Sequence, residues 1–151
     1  MGYIPQYSND PALLKIAVEP PRSIVNAGKI YTRDKYIYQC EVGEGVHVTD
    51  KSDLAQTKRV SFIKIRGVTD ISIKGNYLYC NSFYDLVVID ITNINSVAEV
   101  KRIAKAFLVD GYNVRPPEFG CYYECVNPDK GVVVGWKKDS VAYSSCYNNI
   151  R

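Results

Sequence analysis

The sequence predicts an all-β fold of β-propeller-like blades, each a four-stranded antiparallel sheet, in an incomplete propeller of two blades plus a partial third. Three observations carry this. A stretch of about 40 residues repeats, each copy holds four short strand patterns, and tyrosine is abundant, with 13 copies against one Trp and four Phe. Four strands in roughly 40 residues is the size of a propeller blade, and tyrosine favours pleated, half-buried positions with its hydroxyl at the rim.

The repeat appears when "KYIY" (Lys35 to Tyr38) is placed over "NYLY" (Asn76 to Tyr79) and "GVHVTD" (Gly45 to Asp50) over Asp85 and "LVVID". Each unit opens on an alternating strand ending in a turn, "GKIYTRD" or "VTDISIKG". A tyrosine-rich strand follows, "KYIYQC" or "NYLYCNS", then "GVHVTD" or "LVVIDI", a polar loop, and a last strand, "RVSFIKI" or "VKRIAKAF". The two sheets are expected near residues 27–65 and 68–107. Residues 1–26 read as an N-terminal extended arm and 27–107 as the two blades. Residues 108–151 read as a connection plus a β-hairpin of a partial further blade. That hairpin is "CYYECVNPDKGVVVGWKKD" (Cys121 to Asp139), with Asn127 to Gly131 as its turn.

One segment argues locally for a different structure. In "NSVAEVKRIAKAF", Ser96 and Glu99 have capping-box spacing, and Val97, Val100, Ala104 and Phe107 recur at helical intervals. Its counterpart in the first copy, "KRVSFIKIRG", is rich in β-branched and aromatic residues without a helical pattern. Equivalent segments of a repeat adopt one structure, so "VKRIAKAF" is expected to be a strand against its local propensity.

Composition bounds the partners. The chain has 151 residues, 46% apolar and 23% charged, a globular balance with enough length for a core. The net charge is +3, with basic and acidic residues interspersed. The most basic stretch, "KRVSFIKIR" (Lys58 to Arg66), alternates charged and apolar residues as one solvated strand face. No nucleic-acid partner is expected. No stretch approaches the roughly 18 apolar residues of a membrane span.

Five cysteines are present: Cys40, Cys80, Cys121, Cys125 and Cys146. An odd number cannot pair fully within one chain. Cys121 and Cys125 in one strand would lie roughly 13 Å apart, too far to bond. Buried free thiols, one disulfide between distant cysteines and a zinc site remain as readings. A single histidine and the lack of a CxxC weigh against zinc, and no metal or cofactor is expected.

Candidate chemistry is sparse. His47 occupies the position of Val87 in the second copy and reads as a structural strand residue. Asp50 and Asp90 match across the copies and read as side-chain caps of the following loop rather than as ion ligands. "GEG" (Gly43 to Gly45) lacks the helix and lysine of a phosphate loop. "CYYEC" offers two thiols and Glu124 without further ligands. Tyr36 and Tyr38, and likewise Tyr77 and Tyr79, share one face of their strands. They serve either packing between blades or stacking on a sugar or peptide. No catalytic residue is assigned, and the ligand-binding residues are unknown.

"GVHVTD" and "DLVVIDIT" resemble the core of the LVIVD repeat, a short β-propeller repeat. With "PRSIVNAGKIY" before them and "YYECVNPDKGVVVGW" after, they look like the N-terminal portion of LVIVD-repeat lipoproteins of Bacteroidetes type. The resemblance spans roughly Tyr3 to Trp136. It implies a propeller-like fold and an extracytoplasmic location, in the periplasm or at the cell surface, lipid-anchored in the native form. No lipoprotein signal is visible in "MGYIPQYSNDPALLK". The expected function is a non-catalytic binding or scaffolding module of a cell-envelope protein, with an unknown protein or glycan ligand. The alternative is a fragment of a propeller-fold enzyme whose catalytic groups lie in blades absent from this chain. Two blades and a piece cannot close, so self-association into a homo-oligomer is also expected.

Overall fold

A computed structural model describes residues 1–108, 114–141 and 145–149. Part of the predicted 108–120 connection, and parts of the segment after Asp139, lie outside the described residues. The architecture is all-β: three separate sheets, none closed into a barrel, with no α-helix among the described residues. The chain divides into two compact units, Pro11–Phe107 and a second one made of Met1–Asp10 with Leu108–Arg151.

The first unit holds both repeats. Blade 1 comprises β3 (Ala27–Arg33), β4 (Tyr36–Glu41), β5 (Gly45–Asp50) and β6 (Lys58–Lys64) as an antiparallel meander. A fifth strand, β2 (Ala17–Glu19), pairs with β6 through Val18 and Ile63. The sequence reading did not anticipate it, because three residues carry too little pattern to mark a strand. Blade 2 comprises β7 (Ile71–Lys74), β8 (Tyr77–Ser82), β9 (Asp85–Asp90) and β10 (Ala98–Ile103). The segment with helical spacing is thus a strand over Ala98 to Ile103, while the expected continuation through Ala104 to Phe107 is a turn, with Lys105 at a φ of 54°. Ala98 to Ile103 pairs with β9 across a bulge at Val100.

The blades stack face to face over one core. Blade 1 contributes Tyr38, Cys40, Val46, Val48 and Ile63, and blade 2 contributes Ile71, Leu78, Cys80, Val87 and Ile89. All are buried, and strict alternation along each strand places them on the shared side. Burial of this apolar surface is the main stabilising term. Ion pairing Lys29–Asp70 at 3.5 Å and a hydrogen bond from Arg33 to Asn76 tie the sheets at their rims.

The polar loops also repeat. Asp50 Oδ1 accepts from the Ser52 amide (2.8 Å) and hydroxyl (2.5 Å), and Asp90 Oδ1 does the same for Thr92 (2.8 and 2.6 Å). Three residues on, Asp53 accepts from Ala55 N and Asn93 from Asn95 N. Both loops are therefore two successive side-chain-capped turns, as expected for Asp50 and Asp90. At the crossing between blades, Gly67 has a φ of 74°, and a Cβ there would lie 2.6 Å from Phe83 N. Glycine meets both the left-handed backbone and the close approach.

The second unit corrects the predicted hairpin. The turn at Asn127 to Gly131 forms, with Asn127 Oδ1 accepting from Asp129 N. Yet β11 (Tyr122–Glu124) and β12 (Val132–Asp139) are not bonded to each other. The N-terminal β1 (Gly2–Ser8) lies between them, antiparallel to β12 and parallel to β11, and β13 (Ser145–Tyr147) pairs on the far side of β11. The expected extended arm is thus divided, its first part completing a four-stranded sheet. Cys125 and Cys146, drawn together across β11 and β13, form a disulfide with a Cα–Cα separation of 5.1 Å. Cys121 stays free, as do buried Cys40 and Cys80.

Candidate functional site

The two faces of blade 1 differ in character. The inner one packs on blade 2. The outer one carries Gln39, Glu41, His47, Thr49 and Phe62, brought into register by β4–β5 and β5–β6 pairing. In the repeat alignment the corresponding positions of blade 2 hold Cys80 over Gln39, Val87 over His47 and Ile89 over Thr49. A face that is apolar in one blade is therefore polar in the other.

A loop covers this polar face. Residues 20–26 cross the outer side of the sheet between β2 and β3, and beneath them Phe62, His47 and Glu41 are at most 2% exposed. The loop is pinned from below. The Glu41 carboxylate accepts hydrogen bonds from Val25 N (3.1 and 3.2 Å) and from Asn26 N. His47 Nε2 lies 2.6 Å from Glu41 Oε2. Burial pushes the Glu41 carboxyl up, but the His47 bond and the two amides outweigh it and hold it below the usual glutamate range. Blade 2 uses a neutral version of this device: Asn81 Oδ1 accepts from Thr69 N and Asp70 N just before β7. His47 is thus buried in its strand against Glu41, and Glu41 is the residue that sequence reasoning missed.

Between the loop and the strand ends lies a cleft of about 630 Å³. Arg22 and Ser23, with Pro21 and Ile24, form one wall. Thr49, Thr57, Lys58 and Arg59 form the other. The Arg22 guanidinium sits 4.0 Å over the Phe62 ring, which packs against the His47 imidazole at 5.0 Å. Arg22 Nη2 also lies 3.4 Å from Glu44 Oε2. Lys58 and Arg59 are exposed and have no acidic partner among the described residues. Lys58 and Arg59 open the stretch that reads in sequence as a solvated strand face. Folding adds Arg22 from a loop some 36 residues earlier.

The tyrosine pairs separate. Tyr36 and Tyr38 meet edge to face at 6.3 Å, with Tyr38 in the shared core and Tyr36 packed against it. Tyr77 and Tyr79 lie on the opposite side of blade 2 from its core residues, and Tyr77 is 41% exposed. Glu124 pairs with Lys130 at 3.5 Å. Among the described residues no cluster of three His, Cys, Asp or Glu side chains is placed to hold a metal, and no helix is long and apolar enough to cross a membrane.

Comparison with known proteins bears on the blades. The model of the LVIVD repeat family matches residues 65–104, the whole of blade 2 with the turn before it. No curated protein and no solved structure matches the chain at a significant level. Blade 2 is thus similar to the LVIVD repeat, and blade 1 has the same strand order and the same capped loop.

Proposed function

We propose that the chain is a non-catalytic binding or scaffolding module of a bacterial cell-envelope protein of the LVIVD lipoprotein type. The observation that carries this reading is the pair of stacked blades with one shared core, which makes a rigid platform with two unlike outer faces. Blade 1 presents a polar, loop-covered face. Blade 2 presents a mixed one, where register sets Ser72, Lys74 and Lys101 beside Tyr77, Tyr79 and Ile103; Tyr77 and Ile103 are 41% and 47% exposed, whereas their counterparts Tyr36 and Ile63 are covered by the next blade. A second copy of the chain packed on this face would cover Tyr77 and Ile103, so a homo-oligomer is part of the reading. The Cys125–Cys146 disulfide supports an oxidising, extracytoplasmic compartment.

A thermal-shift screen with glycans, peptides and divalent ions tests the binding role. One class should raise the unfolding temperature saturably and be recovered chemically unchanged. A ligand that is converted to product would overturn the reading.

A further inference from the structure

We propose that the cleft over the outer face of blade 1 binds a small ligand carrying two or more oxyanion groups: phosphate, sulfate or carboxylate. The proposal rests on the binding-module reading and gives it a ligand class. The cationic residues Arg22, Lys58 and Arg59 line one opening with Ser23, Thr49 and Thr57, Arg59 in register with Thr49 on the outer face, and no carboxylate lines it. Arg22 shares its charge with Glu44, while Lys58 and Arg59 have no acidic partner among the described residues. Lys58 stands opposite Asp50 across the strand pair and Arg59 opposite Thr49, so the lining is net positive, which suits a multiply anionic ligand. Guanidinium forks and hydroxyls are the donors that oxyanions take. The volume lies within the range of small-molecule sites.

Two further observations distinguish this cleft from a solvated strand face. Thr49, which lines it, and Gln39 and His47 on the same face of the sheet are apolar in the sister blade, so the polarity belongs to this face and not to the repeat. The wall that carries Arg22 is also fixed in place. Its chain is anchored at Val25 and Asn26 to buried Glu41, and the Arg22 guanidinium rests on buried Phe62. Fixing a loop before the ligand arrives removes ordering cost from binding.

Calorimetric titration of the full chain at low ionic strength with tripolyphosphate, glucose 1,6-bisphosphate, a disulfated disaccharide and glucose tests this. The anionic probes should bind saturably and one to one, glucose should not, and raising the salt should weaken the binding. The phosphate and sulfate arms separate the two oxyanion sources. The double variant Lys58→Gln/Arg59→Gln should keep its unfolding midpoint, since both side chains are exposed, and should bind at least roughly tenfold more weakly. A control of equal charge change in blade 2, Lys74→Gln/Lys101→Gln, should bind as the parent does. No saturable anion binding, or equal weakening by both double variants, would overturn the proposal. A neutral glycan or peptide that binds while the anions fail would leave the module reading standing and remove only the oxyanion site.

Discussion

His47 Nε2 lies 2.6 Å from Glu41 Oε2, and both side chains are almost wholly shut off from solvent. The pair is the floor on which residues 20–26 rest, since the same carboxylate accepts the Val25 and Asn26 amides. Glu41→Ala would leave His47 and two amides without an acceptor. A buried pair broken from one side typically costs about 3–5 kcal/mol. Urea unfolding should show a loss of that order. Glu41→Gln, which keeps an acceptor, should lose less. The double variant Glu41→Ala/His47→Ala should cost less than the sum of the single changes.

The same carboxylate makes stability depend on pH. Its pKa is lower in the folded chain than in the unfolded one, where it is about 4.3. The folded state therefore binds its proton less readily. The stabilisation is fully present above the unfolded value and is lost as the pH falls through the folded value. Denaturation curves from pH 7 down to pH 3 should show the parent losing more stability than Glu41→Gln over the acid end. Parallel losses would mean that half-buried carboxylates such as Asp50 and Asp90, whose pKa values their loop hydrogen bonds also lower, set the acid response.

The cysteines divide three to two. Burial pushes the Cys40 thiol up to about 11 and the Cys80 thiol up to about 12, and it also raises Cys121. Only Cys121 is partly exposed. Titration of the native, unreduced chain at pH 8 should find Cys121 reacting first, and the unfolded chain should show three thiols. The Cys125–Cys146 bond closes a loop over a separation of 21 residues, for which the chain-entropy relation gives about 3 kcal/mol. Cys146→Ser should destabilise the second unit by that order and add one reactive thiol.

Much of the fold was legible because a repeat gives two readings of each strand. Val97 to Phe107 looks helical alone, and only "KRVSFIKIRG" resolves it towards the strand observed at Ala98 to Ile103. The Asx caps were legible because Asp50 and Asp90 stand at the same place in both copies. Pairings between distant segments were not legible. Nothing local in Gly2–Ser8 says that it will separate β11 from β12, since both partners lie at the other end of the chain. The cleft was half legible. Lys58 and Arg59 stand in the most basic stretch, but Arg22 joins them through a loop held by Glu41, a residue with no motif around it. The signal that could have found the face was the exchange of Val87 and Ile89 for His47 and Thr49 in the alignment.

Ile63 and Ile103 occupy equivalent repeat positions, one 0% and the other 47% exposed. The same substitution at the two sites therefore isolates what the neighbouring blade contributes. Ile63→Ala removes methyl groups from the shared core and leaves a cavity, which should cost about 2–5 kcal/mol. Ile103→Ala in the dilute monomer should stay within about 0.5 kcal/mol of the parent, the usual range for surface positions. If blade 2's outer face is where copies meet, Ile103→Lys should lower the mass seen by light scattering at high micromolar concentration without changing monomer stability, because a lysine ammonium resists burial against an apolar partner. An Ile103→Ala cost matching that of Ile63→Ala at every concentration would mean that this face is already buried within a single chain.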